Sequence, residues 1–108
     1  MAVTSFEMAV TSFNVSSRLH NRMAVGNDPL LPLRKEQHAQ PAPVAAAGAA
    51  FGALPPPGVF PPSWLALLGA WTHAHMNTLA TFYAEDFGPQ NMQLADRKQL
   101  FIAFIIRA

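Results

Sequence analysis

A mostly α-helical chain with extensive disorder is predicted, its folded part a C-terminal two-helix hairpin behind a Pro-rich linker, with no large independent core. Three observations predict this. From Gln37 through Ala84 there is no Asp, Glu, Lys or Arg, whereas an ordinary soluble domain scatters charges so that each helix keeps a wetted face. The run Pro55-Pro56-Pro57-Gly58-Val59-Phe60-Pro61-Pro62 forces an extended stretch and marks the clearest boundary in the chain. Beyond it, apolar residues recur at helical spacing as far as Gly88-Pro89.

The boundaries follow: residues 1–43 as a disordered segment, 44–62 as an Ala/Pro-rich linker and 63–108 as the hairpin. Residues 1–13 are a near-exact tandem heptapeptide repeat, Met1-Ala2-Val3-Thr4-Ser5-Phe6-Glu7 followed by Met8-Ala9-Val10-Thr11-Ser12-Phe13. The period of seven puts Val3, Phe6, Val10 and Phe13 at coiled-coil spacing, but the next seam positions are Ser17 and His20. A seam that ends after two heptads is too short to specify a coiled coil. Val-Thr-Ser-Phe also favours strand over helix. Residues 14–43 are polar and broken by Pro29, Pro32, Pro41 and Pro43, so no regular structure is expected there. Within them Leu30-Leu31-Pro32-Leu33 has the character of an extended docking motif. Val44–Leu54 could form three turns of helix carrying Gly48 and Gly52 at G-x-x-x-G spacing, though at ~16 Å it is too short to span a bilayer.

In the hairpin, Ser63 is placed to cap a helix starting at Trp64, and Gly88-Pro89 to stop it, with a weakened end near Tyr83 where Glu85 and Asp86 oppose the macrodipole. Trp64, Leu67, Leu68, Trp71, His75, Leu79 and Phe82 form one face. The other carries Ala66, Gly69, Ala70, His73, Asn77, Ala80, Thr81 and Ala84, a small, mildly polar surface suited to close packing. A second helix is expected from about Met92, capped by Asn91. Its end, Leu100 to Ile106, is apolar all round and must be buried on every side, which a single partner helix cannot do.

At 108 residues there is room for one small domain at most. A net charge of +1 leaves no electrostatic footprint for nucleic acid, and the absence of cysteine removes disulfides, thiolate metal sites and cysteine nucleophiles. The N-terminus lacks the basic and apolar regions of a secretory signal. Its Ser/Thr-rich, arginine-bearing composition is closer to an organelle import segment.

No phosphate loop, nucleophile elbow or paired carboxylates appear, so the chain is not expected to be an enzyme and no cofactor is assigned. Thr72-His73-Ala74-His75 is the one stretch with the flavour of a ligand set. On a helix its histidines point roughly opposite ways and cannot share a metal. His75 alone, between Trp71 and Leu79, has the position of an axial ligand to a tetrapyrrole; the structural alternative is a neutral, hydrogen-bonded core histidine. The function expected is a small non-catalytic interaction or structural subunit. Its hairpin docks into a larger protein assembly, or self-associates, through Trp64, Leu68, Trp71, Leu79, Phe82, Phe101, Phe104 and Ile105. Two alternatives stand beside it: a membrane-associated helical protein holding a tetrapyrrole or metal through His75, and a chain without selected function from an unusual reading frame.

Overall fold

The computed structural model describes residues 5–36 and 51–107, with side chains in the first helix described from Met8 onward. Among the described residues there are four α-helices and no strand: α1 Ser5–Met23, α2 Trp64–Ala70, α3 His73–Tyr83 and α4 Leu94–Ile106. The expected Ala-rich helix of 44–54 and the first half of the tandem repeat lie largely outside the described residues.

The largest departure from the sequence expectation is α1. Among the described residues helix occurs in the N-terminal part as well, not only in a C-terminal hairpin. Helix propensity is a weak prior, and tertiary packing overrides it. Here α1 packs along α4 and buries Val10, Asn14, Ser17, Arg18 and Asn21. After α1 a turn at Gly26 (φ +57°) leads into an extended segment, Leu30–Glu36, which places Leu30 and Leu33 in the core.

The helix expected from Trp64 is two helices. Ser63 does cap it, accepting a hydrogen bond from the Ala66 amide. The chain then breaks at Trp71 and Thr72, both in extended conformation, and Thr72 caps α3. The break resets the helical phase. The buried face of α3 is therefore Met76, Leu79 and Tyr83, while His75 and Phe82 are half-buried. Helix α3 ends at Ala84, which adopts the left-handed conformation, with its own and the Glu85 amides donating back to Thr81 and Ala80. Helix α4 begins at Leu94, after a turn closed by the Met92 amide on the Pro89 carbonyl, so Asn91 does not cap it.

Helices α1, α2 and α3 all contact α4, which is the central element. The same chain covers Phe101, Phe104 and Ile105 of the all-apolar end of α4, whereas Leu100 stays 41% exposed and Ala103 is exposed, so that end is not buried on every side. Phe101 meets Phe60 and Phe87 edge-on at 5.6 and 5.4 Å, and Phe104 meets Phe87 and Tyr83 at 5.5 and 5.1 Å. The radius of gyration, 13.8 Å, is close to the ~13 Å expected of a folded chain of this length and far below an unfolded one.

The last carbonyls of a helix have no partner within it. In this protein, side chains from distant elements supply donors. Lys98 Nζ donates to Leu68 O at the end of α2 (3.1 Å), and Lys35 Nζ to Tyr83 O at the end of α3 (2.8 Å). At the end of α4, Arg18 Nε donates to Phe104 O (3.1 Å) and Asn21 Nδ2 to Ile105 O (3.4 Å). Each of the three cations also sits where the macrodipole favours positive charge.

Candidate functional site

Of the expected docking residues, Leu79, Phe101, Phe104 and Ile105 are enclosed in the chain's own core, with Trp71 at its edge. Both indoles donate to backbone carbonyls of the same chain, Trp64 to Ala24 O (2.9 Å) and Trp71 to Val59 O (3.1 Å). Trp64 and Phe82 are half-buried. Leu68 is 57% exposed and is the one member of the set that faces outward freely.

His75 has a structural task. Its Nδ1 accepts from the Thr72 amide at 3.0 Å, while the Thr72 hydroxyl accepts from the His75 amide at 3.4 Å. This is a capping box with imidazole in place of the usual carboxylate or amide. The ring stacks on Trp71, with centroids 4.6 Å apart. An accepting Nδ1 leaves the proton of the neutral ring on Nε2, the wrong tautomer for ligation through Nε2. His73, two residues earlier, accepts at Nδ1 from Arg97 Nη1 (3.0 Å). Arg97 is almost wholly buried, and it also donates to Phe87 O, His73 O and Asn77 Oδ1. Among the described residues no group of three or more His, Asp or Glu side chains is placed to hold a metal ion.

The feature that sequence reasoning missed is the inverted polarity of α1. Asn14, Ser17, Arg18 and Asn21 face inward and are 1%, 2%, 8% and 0% exposed. Met8, Val15, Leu19 and Met23 face outward and are 59%, 58%, 51% and 75% exposed. Their spacings of seven, four and four put these four on one stripe.

The inner face reads the backbone of the extended segment. Asn14 accepts from the Arg34 amide (2.8 Å) and donates to the Arg34 carbonyl (2.9 Å). Asn21 does the same with Leu31, at 2.8 and 3.0 Å. Seven helical residues rise ~10.5 Å, and three extended residues cover ~9–10 Å. The heptad spacing of the asparagines thus matches every third residue of an antiparallel extended chain. The opposite edge of that segment is held by Leu30 N to Pro62 O, Lys35 N to Ala53 O and Gly52 N to Lys35 O. Tyr83 closes it, its hydroxyl donating to Leu33 O at 2.6 Å, and burial pushes that phenol well above its ordinary pKa. The apolar docking motif expected at Leu30–Leu33 is therefore docked, into its own chain.

Glu36 ends the segment in a charged cluster. It pairs with Arg18 Nη1 at 2.9 Å, accepts from Asn14 Nδ2 at 2.9 Å, and lies 3.9 Å from Arg107. Burial raises its pKa, but the Asn14 hydrogen bond and the two arginines outweigh this and hold the carboxyl below its ordinary value. Burial draws the Lys35 amine below its ordinary value, with Glu85 and Glu36 opposing. The Phe104 ring lies under both the Arg18 and Arg107 guanidinium carbons, at 5.3 and 5.1 Å. A cavity of ≈ 270 Å³ opens nearby, where Glu85 and Asp86 face Leu100 of α4 and Arg107 just beyond it.

Among the described residues no helix is long and apolar enough to cross a membrane. No family model, no curated protein and no solved structure matches this chain.

Proposed function

We propose that this protein is a small non-catalytic interaction module that joins a larger assembly through the outer face of α1. The observation that carries this reading is the partly inverted helix: Asn14, Ser17, Arg18 and Asn21 are buried beside Val10, while Met8, Val15, Leu19 and Met23 are exposed on one side, with Ser12 and Ser16 among them. Scattered exposed apolar residues are ordinary, but a one-sided stripe is characteristic of docking surfaces. Leaving four such side chains in water forgoes about 1.5–3 kcal/mol each relative to full burial. The buried polar groups further support the reading, because most of them serve as helix caps and backbone partners within the fold.

The test is a double substitution, Val15→Glu with Leu19→Glu. Both sites are exposed, so helix content and thermal midpoint should stay near those of the parent, while binding to any partner captured by the parent should fall at least tenfold. Undiminished binding by a folded double variant would remove the α1 face from the proposal.

A further inference from the structure

We infer that the occupant of the outer α1 face is the same face of a second copy, paired antiparallel about a twofold axis near Val15 and Ser16; this rests on the docking reading above. The stripe is self-complementary in that arrangement. An axis between residues 15 and 16 puts Leu19 of one copy opposite Ser12 of the other, Met8 opposite Met23, and Val15 opposite Ser16. Bulky side chains then meet small or flexible ones, the condition for two helices to approach closely. A twofold interface also requires one patch to be its own partner, which this alternation provides.

Charge selects the orientation. Arg18 points inward to Glu36, so Arg22 is the one exposed Lys or Arg side chain on the described part of α1. Parallel pairing would set the two Arg22 side chains level with each other. Antiparallel pairing separates them by ~20 Å along the axis, more than twice the ~8 Å screening length in physiological salt. A lone arginine also makes a poor fit to an anionic lipid surface, which favours helices rich in Lys and Arg beside the apolar face. One helix face of sixteen residues, Met8 to Met23, falls short of the ~800 Å² per partner of stable complexes, so the dimer should dissociate on dilution.

Because the chain has no cysteine, single introduced thiols report geometry without background. Under mild oxidation of the full-length chain, Ser16→Cys should cross-link to itself. Met8→Cys and Met23→Cys should not do so alone, but should give a mixed dimer when combined. In sedimentation velocity the parent mass should rise from 11.7 kDa towards twice that with concentration, while Leu19→Glu stays monomeric with unchanged circular dichroism. Self-linking of Met8→Cys would overturn the antiparallel arrangement, and a monomer at every concentration would overturn self-pairing. The thiol of Leu19→Cys separates the two ideas. In a monomeric chain, shielding from maleimide by neutral or anionic vesicles would retain the docking face while overturning the second copy. Free labelling in every condition would overturn the second copy and leave the outer face to the partner-binding test of the double variant.

Discussion

Asn21 makes three hydrogen bonds with one side chain, to both backbone groups of Leu31 and to the Ile105 carbonyl. A buried donor or acceptor left without a partner costs about 1–3 kcal/mol. Asn21→Leu, which keeps the volume but orphans these groups, should therefore lower stability by about 2–4 kcal/mol in urea unfolding. A loss under 1 kcal/mol would show that water replaces the amide. Glu36 gives a pH signature. Its carboxyl titrates in the folded chain below the ordinary value of 4.5, so its stabilisation is fully present above that pH and is lost as pH falls through the folded value. Glu36→Gln should flatten the acid limb of stability against pH below about 4.5, and an unchanged limb would assign that loss to other carboxylates. Little of this was legible. A polar seven-residue spacing such as Asn14 to Asn21 says nothing until the backbone it binds, twenty positions on for Asn14, is known. Of the heptad seam only Val10 and Ser17 turn inward, while Phe13 and His20 are exposed; the inner face runs instead through Val10, Asn14, Ser17 and Asn21.

Helix ends were partly legible because caps are local. Ser63 and the weak point near Tyr83 are both where the sequence puts them. The break at Trp71–Thr72 was not, since a Thr-x-x-His box lacks the usual acidic or amide third residue. His75→Ala should cost about 1 kcal/mol through loss of that cap, whereas His75→Glu should hold or raise stability, as glutamate suits both the box and the helix N-terminus. Equal losses in both variants would trace the effect to Trp71 stacking instead. At the other end of α3, Ala84 sits at φ 51°, ψ 43°. A side chain there carries a steric penalty that glycine avoids. Ala84→Gly should accordingly stabilise the chain by about 0.5–1 kcal/mol, read as a higher urea midpoint at unchanged slope.

For residues 51–84, the described part of the uncharged run that is the sequence's most conspicuous property, an explanation lies at the scale of the molecule. The backbone carbonyls of this stretch are acceptors for cations that lie on either side of it. Arg34 Nη1 reaches Gly52 O, Lys35 reaches Tyr83 O, and Lys98 reaches Leu68 O. Arg97 reaches the side chains of His73 and Asn77. Where residues 51–84 are buried, they pack against the rest of the same chain. Period and composition cannot show that, because each contact joins residues whose sequence distance is set only by the fold. The same arrangement argues against a self-sufficient C-terminal hairpin. Removing residues 1–43 takes away the donors to Tyr83, Phe104 and Ile105 carbonyls. It also removes Leu30 and Leu33 from the core. Three carbonyls losing these donors at about 1–3 kcal/mol each, with two leucines lost at about 2–5 kcal/mol each, come to about 7–19 kcal/mol, as large as the ~5–15 kcal/mol that holds a typical domain together. A fragment of residues 44–108 should therefore show no cooperative thermal transition by circular dichroism. Adding residues 1–43 as a separate peptide should restore helicity and a sigmoidal unfolding curve, with saturation at one equivalent. If the fragment unfolds cooperatively by itself at the midpoint of the full chain, α1 and the extended segment are an addition to a hairpin that folds without them.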